Sequence, residues 1–406
     1  MNIAIVGQDL ITKYGGAENH AINVIRELNK YYNILYFPDP AKYKKIRKQR
    51  EDMMKRVKEL EDKGVKITKV FYTAVVGNYN PKQIMKIYLQ EKIDLILSFD
   101  VINYSSLRFI FDFSKKGHIK FGIVLQGLFD FDIHALPYLK STIELVKISH
   151  STRIVLYRIY HFFIRNIFMH SLNNAKNLLF TCIVNQNYYE NAKLNVKNIE
   201  ILRVQNGIKN YSDNKFKIIQ NKNYQMIYFA RLSYNKGIFD IPLIMKEIIK
   251  SSDIKLVIVG KFTRDNEKVE FFHLLDVYGL KDKIIYKGYL NNQQLFDEIA
   301  KSKIMIYPPH SDSFSLAIAQ ALANHTPVVT YNIAGLKIYK KFSAVKMVNE
   351  FDYKALADEA VKILKMENTD HLFDNGIDEF INQHSWDNVA REYKNILDKY
   401  IETDGN

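Results

Sequence analysis

The sequence predicts an α/β protein with two domains, each built around a doubly wound parallel sheet. Short apolar segments alternate with helical stretches from end to end, which is the pattern of repeated βαβ units. The 406 residues exceed the size at which one hydrophobic core usually keeps growing, so two domains are expected. A polar segment rich in Asn, Lys and Ser, residues 206–225, predicts a boundary near residue 208.

Each strand is predicted from a short apolar run, within a first domain of residues 1–207 and a second of residues 208–385. The last helix, residues 386–400, carries Val389 and Tyr393 on an apolar face, which predicts that it packs back onto the first domain. The predicted strands are residues 3–6, 34–37, 70–72, 95–99, 121–125 and 178–182 in the first domain, and 226–229, 256–259, 284–286, 304–307 and 328–330 in the second.

The composition is that of an ordinary folded protein and excludes several classes. Hydrophobic residues make up 47% and charged residues 25%, which argues against disorder. The single cysteine, Cys182, excludes an internal disulfide framework and fits a reducing compartment. A secretory signal is not expected, and the sequence has no zinc-ligand spacing and no uncharged run near the roughly 20 residues that span a bilayer. These features predict a cytoplasmic protein, either soluble or held peripherally at the inner membrane face.

A formal net charge of +14 favours an anionic partner, such as a phosphate-bearing ligand or an anionic lipid surface. The basic residues are densest in residues 42–58, where the apolar spacing predicts an amphipathic helix with a basic outer face. Arg158, His161 and Arg165 form a second basic stripe. A solvated surface and packing between domains are the favoured explanations, and a membrane contact is the alternative. Nucleic acid is not expected, because no RNA- or DNA-binding signature is present.

The first βα turn contains a glycine pair that permits close approach of the backbone to a ligand. Gly15 and Gly16 lie at the start of a predicted helix and are followed by Glu18. The spacing is neither G-x-G-x-x-G nor that of a P-loop, which argues against a dinucleotide or ATP site. Taken alone, a tight turn without a ligand is the simpler explanation.

Two cations follow the first strand of the second domain. Arg231 and Lys236 lie in one strand-end loop and could neutralise a diphosphate, Arg through its planar guanidinium and Lys as a point charge. This matters most when the diphosphate is a leaving group, because its negative charge grows in the transition state. Taken alone, ordinary surface side chains explain the two residues better.

The segment of residues 310–335 combines a polar loop, a predicted helix and a strand. Asp312 precedes the helix and Gln320 lies eight positions later, on its second turn. One polar group can therefore meet a ligand at the start of the helix while the other reaches it from the side. Free backbone N–H groups at a helix N-terminus bind anions. An ordinary loop–helix–strand unit is the alternative.

Taken in order, these segments resemble family 4 of the glycosyltransferases, the glycosyl transferases group 1, over nearly the whole chain. The resemblance implies the GT-B fold, with two Rossmann-like domains facing each other across a deep cleft. It also implies a retaining transfer of a sugar from a nucleotide-diphosphate donor to a hydroxyl of a glycan, a lipid-linked glycan or a glycoprotein glycan, without a metal or other cofactor. The matching segments are GGAE at 15–18, VQNGI at 204–208, ARLSYNKGI at 230–238, LVIVG at 256–260, IIYKGYL at 284–290, HSDSFSLAIAQALANHTPVV at 310–329, NIAG at 332–335 and SW at 385–386.

The resemblance implies roles for the residues at matching positions. Arg231 and Lys236 match the pair that binds the donor diphosphate. Asp312 and Gln320 match the two ends of the family's E-x7-E motif, where the first acid contacts hydroxyls of the donor sugar and the second binds the ribose. Arg231, Lys236 and Asp312 are therefore the expected catalytic residues. Further donor contacts are expected from Gly15, Gly16, Tyr289, Ser313, Phe314, Ser315 and Leu316, and sugar or acceptor contacts from Glu18, Gln126 and His134.

The sequence also departs from the family pattern in the donor segment. Asp312 is one methylene shorter than the usual Glu, and Gln320 carries no charge. Ser313 and Ser315 stand where the family has glycines, which reduces the backbone freedom of the loop.

The first domain departs as well. Gln126 follows a predicted strand at a place where the family often has a histidine near the sugar, and His134 is the candidate substitute, although a structural role for it is simpler. The D-x-D tripeptide of residues 130–132 is read as a chance match rather than a metal site. No protein base is required, because the leaving phosphate can take the acceptor's proton. The alternatives are a non-catalytic GT-B partner subunit that binds a nucleotide-sugar or glycan and, less favoured, a nucleotide-sugar epimerase.

Overall fold

The computed structural model divides the chain into two compact units. Unit 1 contains the described residues of Met1–Phe129 and Ile159–Gly207 together with the C-terminal helix, and unit 2 contains those of Asp130–Arg158 and Ile208–Ser385. The structure describes residues 1–7, 10–11, 16–37, 50–68, 90–99, 119–126, 155–156, 159, 163, 167, 170, 172–184, 197–208 and 224–402.

Unit 1 is a seven-stranded sheet in the order β3-β2-β1-β4-β5-β6-β7, with parallel pairing throughout its described strands. Its central strands are covered on both faces, which explains their nearly continuous apolar sequences. The elements are β1 Asn2–Val6, α1 Gly16–Leu28, β2 Asn33–Tyr36, α2 Arg50–Asp62, β3 Lys66–Ile67, β4 Leu95–Phe99, β5 Lys120–Leu125, β6 Leu178–Ile183 and β7 Ile199–Ile201.

The C-terminal helix belongs to unit 1. This helix buries Val389, Tyr393 and Leu397, and Tyr32 donates a hydrogen bond to the carboxylate of Asp398. Because these apolar residues recur at helical spacing, one face of the helix closes the core of the unit. We number it α9, Trp386–Glu402.

Unit 2 is a six-stranded parallel sheet in the order β10-β9-β8-β11-β12-β13. Helices α3 and α7 pack against each other, and α7 also contacts the sheet. The elements are β8 Tyr224–Phe229, α3 Ile241–Ile248, β9 Leu256–Val259, α4 Asp265–Val277, β10 Ile284–Gly288, α5 Asn292–Lys301, β11 Ser302–Tyr307, α6 Leu316–Ala323, β12 Val328–Tyr331, β13 Val345–Val348, α7 Tyr353–Leu364 and α8 Asn375–Gln383.

The prediction of two doubly wound parallel sheets is confirmed, and so are ten of the eleven predicted strands in position and direction. The predicted strand at residues 70–72 lies outside the described residues, as does most of the polar segment 206–225. Three strands were not predicted, namely β3, β7 and β13, and all three lie at sheet edges.

The sequence predicts a basic amphipathic helix within residues 42–58 and no helix that spans a membrane. Helix α2 buries Met53 and Val57 and leaves Lys55 and Lys58 exposed, as the predicted basic amphipathic helix requires, while residues 42–49 lie outside the described part. Within the described part of the chain, no helix combines the length and hydropathy that a membrane crossing needs.

Candidate functional site

The strand order of unit 2 changes direction at the neighbouring strands β8 and β11, with β9 and β10 on one side and β12 and β13 on the other. Ligands of open parallel sheets bind outside the carboxyl ends of the strands at such a switch point. The loops that leave these two strands contain Arg231, Lys236 and Asp312. The three residues that the resemblance marks as catalytic therefore follow adjacent strand ends.

Lys236 is held by a tight approach between the two loops. Gly237, directly after it, has a φ of +72°, and a Cβ there would lie 1.8 Å from the carbonyl oxygen of Pro308. Only glycine fits both constraints. The Tyr228 hydroxyl donates to the carbonyl oxygen of Lys236 at 2.8 Å, and the His310 N–H donates to that of Asn235 at 3.0 Å. The position of the lysine is thus fixed from both strands.

Arg231 differs from Lys236 in being unpaired. Its side chain is exposed two residues after β8, and no carboxylate among the described residues forms an ion pair with it. Lys236, in contrast, donates from Nζ to the carbonyl oxygen of Ser311 at 2.9 Å and forms an ion pair with Asp312 Oδ2 at 3.0 Å. The switch point therefore presents one free guanidinium and one anchored ammonium, which together suit an anionic ligand.

The Asp312 carboxylate is surrounded by donors from its own unit. Oδ2 accepts from the Tyr307 hydroxyl at 2.5 Å as well as from Lys236, and Oδ1 accepts from the N–H groups of Ser313 at 2.8 Å and Ser315 at 3.1 Å. Burial alone would raise the pKa of Asp312, but Lys236, the Tyr307 hydroxyl and the Ser315 N–H together lower it below its ordinary value. The group is therefore a carboxylate at neutral pH.

The loop after Asp312 is strained and tied in place. Ser315 has a φ of +59°, the left-handed region that favours glycine, while its hydroxyl caps α6 by accepting from the Ile318 N–H at 3.3 Å. The Tyr339 hydroxyl donates to the Ser315 carbonyl oxygen at 3.1 Å. A Cβ on Gly335 would lie 1.7 Å from the carbonyl oxygen of Asp312. These contacts hold the start of α6 in one conformation.

A buried histidine that the sequence did not single out as a site residue supports the same loop. His310 Nε2 lies 2.9 Å from Asp240 Oδ2, and Nδ1 lies 2.9 Å from Glu350 Oε1. Burial by itself would lower the pKa of His310, but the two carboxylates raise it to about 9. The Tyr331 hydroxyl also donates to Asp240 at 2.7 Å. His310 stands in the motif segment, but its partners lie 70 and 40 positions away, so no local pattern indicates them.

The remaining donor candidates lie on the same unit. Phe314 is buried and stacks on His384 with ring centroids 5.4 Å apart, so its side chain supports the loop and leaves the backbone for ligand contact. Leu316 begins α6, and Gln320 lies half-buried on its second turn. Tyr289 follows β10 and is 76% exposed. The structure thus places all of these candidates around the strand ends or the start of α6.

The candidates of unit 1 are partly described. Gly16 begins α1 in an exposed position, and Glu18 is buried in the first turn. Gln126 follows β5, is 7% exposed, and neither of its amide atoms has a hydrogen-bond partner among the described residues. Gly15 and His134 lie outside the described residues, as does the tripeptide 130–132. Among the described residues, no group of three or more His, Cys, Asp or Glu is arranged to hold a metal ion.

Solved structures define the class of fold. A glycosyltransferase from Rickettsia africae superposes with a TM-score of 0.68 over 98% of both chains at 16% identity. An Anabaena protein solved in complex with UDP and glucose superposes with a TM-score of 0.66 over 98% of this chain and 99% of that one at 13% identity. These similarities show that the chain has the GT-B fold.

Sequence comparisons point to glycosyltransferases as well. Residues 211–379, which lie within unit 2, match the family described as "Glycosyl transferases group 1". An uncharacterized glycosyltransferase of Methanocaldococcus jannaschii is 24% identical over 180 residues, which cover 44% of this chain and 45% of that protein. A capsular polysaccharide biosynthesis glycosyltransferase of Staphylococcus aureus is 24% identical over 200 residues, 46% and 50% of the two chains. The match thus spans about half the length of these two relatives.

Proposed function

We propose that this protein is a retaining glycosyltransferase that moves a sugar from a nucleotide-diphosphate donor to an acceptor hydroxyl. The observation that carries the proposal is that Arg231, which has no ion-pair partner among the described residues, shares the loop after β8 with the anchored Lys236 at the switch point of unit 2. Both cations would bind the diphosphate, whose negative charge grows as the bond to the sugar breaks. The family match and the neighbour solved with UDP and glucose support the same donor class.

The other donor contacts follow from the same geometry. The backbone N–H groups of Phe314 and Leu316 lie at the start of α6, where a phosphate or sugar oxygen would meet them. Gln320 would hydrogen-bond the ribose, and the exposed Tyr289 would lie beside the nucleoside. The resemblance further proposes Gly15, Gly16 and Glu18 as contacts to the phosphates and the transferred sugar, and His134 as a candidate sugar contact.

Gln126 is proposed as a contact for a sugar hydroxyl. Its amide oxygen and nitrogen are both buried and have no partner within the described part of the chain, and a buried amide of this kind gains from a ligand that can both donate and accept. The proton of the acceptor would pass to the leaving phosphate. The two cations supply the positive charge at the diphosphate, so the proposed reaction has no step that requires a metal.

The test is sugar transfer and hydrolysis with a panel of nucleotide-sugars. We expect Arg231→Ala to lower kcat/KM about 100-fold or more, because it removes a charged donor to the leaving group. Arg391→Ala is the matched control, since Arg391 is exposed on α9 and pairs only with neighbours on that helix. Equal activity of the Arg231 and Arg391 variants would contradict the proposed role.

The second candidate is a GT-B protein that binds a nucleotide-sugar without turning it over. It is favoured by the Asp312 carboxylate, which is fully engaged within its own loop, and by the uncharged Gln320. Binding without turnover for every donor and acceptor would support this candidate. Release of an isomerised sugar in the absence of an acceptor would instead indicate an epimerase.

We further propose that the protein works at an anionic membrane surface on a lipid-linked acceptor. Ile159, Phe163 and Ile167 of unit 1 are helical and exposed, and the chain carries a net charge of +14. Flotation with anionic and with neutral vesicles tests the proposal.

The double variant Ile159→Ser/Phe163→Ser is expected to weaken anionic-vesicle binding about tenfold or more, because each buried apolar side chain contributes to insertion. The matched control is Val269→Ser/Val277→Ser, two exposed valines of α4. Equal binding of both double variants would rule out this surface.

A further inference from the structure

The hydrogen-bond capacity of Asp312 is filled within the protein. An ionised carboxylate offers about four acceptor positions. The Tyr307 hydroxyl and Lys236 Nζ occupy those of Oδ2, and the N–H groups of Ser313 and Ser315 occupy those of Oδ1. The Phe314 N–H lies 3.5 Å from Oδ1, at the outer limit of a hydrogen bond. No acceptor position of this carboxylate is left for a sugar hydroxyl.

The Asp312 carboxylate lies against the two parts of unit 2 that the proposed function assigns to an anionic ligand, namely Lys236 and the start of α6. Lys236 is the anchored cation of the switch point, and the Ser313 and Ser315 N–H groups lie at the start of α6. The carboxylate is 13% exposed and the lysine side chain 23%, so water screens their attraction only in part. One of the three Lys236 N–H groups remains after Ser311 and Asp312 are bound.

We propose that Asp312 is a positioning residue. Its carboxylate holds Lys236 and the loop of residues 313–315 in place and does not bind the donor sugar. The proposal rests on the proposed function, since it assumes that this loop receives a nucleotide-diphosphate donor. The short side chain explains the arrangement, because an aspartate readily bonds to the N–H groups two or three residues further on. Contacts to the sugar hydroxyls then come from groups other than this carboxylate.

Asp312 therefore has two opposing effects on the donor. It fixes Lys236 and the loop of residues 313–315 in place, but its charge opposes the approach of a second anion. Two unit charges a few ångströms apart near a protein surface change an equilibrium about tenfold or more. The loss of one hydrogen-bonded constraint has a smaller effect. The repulsion therefore prevails, and removal of the charge should strengthen the binding of a diphosphate.

The test compares a nucleoside diphosphate with the matching nucleotide-sugar by isothermal titration calorimetry. UDP with UDP-glucose, GDP with GDP-mannose and ADP with ADP-glucose are the probes, and the pair that the unaltered protein binds is used. In Asp312→Asn we expect the nucleoside diphosphate to bind about tenfold more tightly. The ratio of the two dissociation constants should stay within about twofold, because the sugar loses no contact. Thermal unfolding of each variant verifies folding.

A second variant keeps the charge. Tyr307→Phe removes the hydroxyl that donates to Asp312 Oδ2, and the ratio of dissociation constants should again stay unchanged. A nucleotide-sugar that binds ten times more weakly relative to its nucleoside diphosphate, in either variant, would overturn the inference and leave the proposed function intact. If the unaltered protein binds no nucleoside diphosphate or nucleotide-sugar, the proposed function and the inference both fail.

Discussion

The two units each bury a histidine in hydrogen-bonded surroundings, yet the two side chains differ in charge. In unit 1, His20 Nδ1 lies 3.0 Å from Asn206 Oδ1 and Nε2 lies 2.9 Å from the Tyr393 hydroxyl. Burial among these neutral partners lowers the pKa of His20 to about 4. In unit 2, Asp240 and Glu350 overcome the effect of burial and raise the pKa of His310 to about 9.

The difference shows that the charge of the hydrogen-bond partners, rather than burial, decides the protonation state of a buried imidazole. Neutral His20 joins α1, α9 and the turn before residue 207 within unit 1. Charged His310 joins the loops after β8, β11 and β13 beside the candidate donor site. The two units should therefore respond to pH in opposite directions. His20 contributes stability that is lost as pH falls, and His310 contributes stability that is lost as pH rises.

Removing the charged histidine should have the largest effect. His310→Ala leaves Asp240, whose side chain is 2% exposed, with only the Tyr331 hydroxyl as a donor. Breaking one partner of a buried ion pair lowers the free energy of unfolding by about 3–5 kcal/mol. Urea unfolding at pH 7 followed by far-UV circular dichroism measures the change. The control is His273→Ala at an exposed position of α4, expected to change stability by about 0.5 kcal/mol or less.

Titrating the neutral histidine should have the next largest effect. Because the pKa of His20 in the folded state is about 4 and an unfolded histidine has a pKa near 6.5, unit 1 should lose about 3 kcal/mol between pH 6.5 and 4. The only tryptophan, Trp386, lies in α9 with its ring 5.6 Å from that of His20, so its fluorescence reports on unit 1.

The control for this loss of stability at acid pH is His20→Gln. In this variant the stability of unit 1 should depend less on pH between 6.5 and 4. Circular dichroism alone is less selective, because burial also lowers the pKa of His384 in unit 2. An unchanged slope in the variant would assign the acid sensitivity to another group. His310 adds no slope in this range, since it is charged in the folded and unfolded states alike below pH 6.5.

A substitution can convert one kind of site into the other. Asn206→Asp places a carboxylate at the His20 Nδ1 contact and should raise the pKa of His20 by about 1–3 units. The acid loss of unit 1 would shrink by about 1–3 kcal/mol accordingly. NMR titration of the His20 ring protons measures the pKa directly. Asn206→Ser, which adds no charge, is the matched control, and equal titration of both variants would refute the argument.

The sequence predicts the interior of both sheets because buried parallel strands are apolar throughout, as LVIV of β9 shows. Three of the four edge strands, β3, β7 and β13, are not predicted by the same reasoning, whereas the edge strand β10 is. The sequences KI of β3, IEI of β7 and VKMV of β13 mix charged with apolar residues, and these strands are only partly buried. An edge strand has one unpaired side facing solvent, so its sequence carries a weaker signal.

In the candidate site, too, some residues are indicated by local sequence patterns and others are not. Arg231, Lys236 and Asp312 were predicted because they follow strands within recognisable segments. The contacts of the Asp240–His310–Glu350 cluster, in contrast, join three loops that lie 70 and 40 positions apart in sequence. Such contacts depend on how the sheet brings its strand ends together, which no local spacing records.

The smallest predicted effect compares the starts of two helices. In unit 1, α1 begins at Gly16, whereas in unit 2 Ser315 precedes α6 with a φ of +59°. A left-handed non-glycine residue costs about 1–2 kcal/mol, and replacing a serine cap by glycine costs only a few tenths. Ser315→Gly should therefore raise the free energy of unfolding by about 1 kcal/mol. Ser315→Ala is the matched variant that keeps the strain and loses the cap, and it should lower the free energy by about 1 kcal/mol. Urea unfolding of the two variants measures both changes in the free energy of unfolding. A less stable Ser315→Gly variant would mean that the cap outweighs the strain.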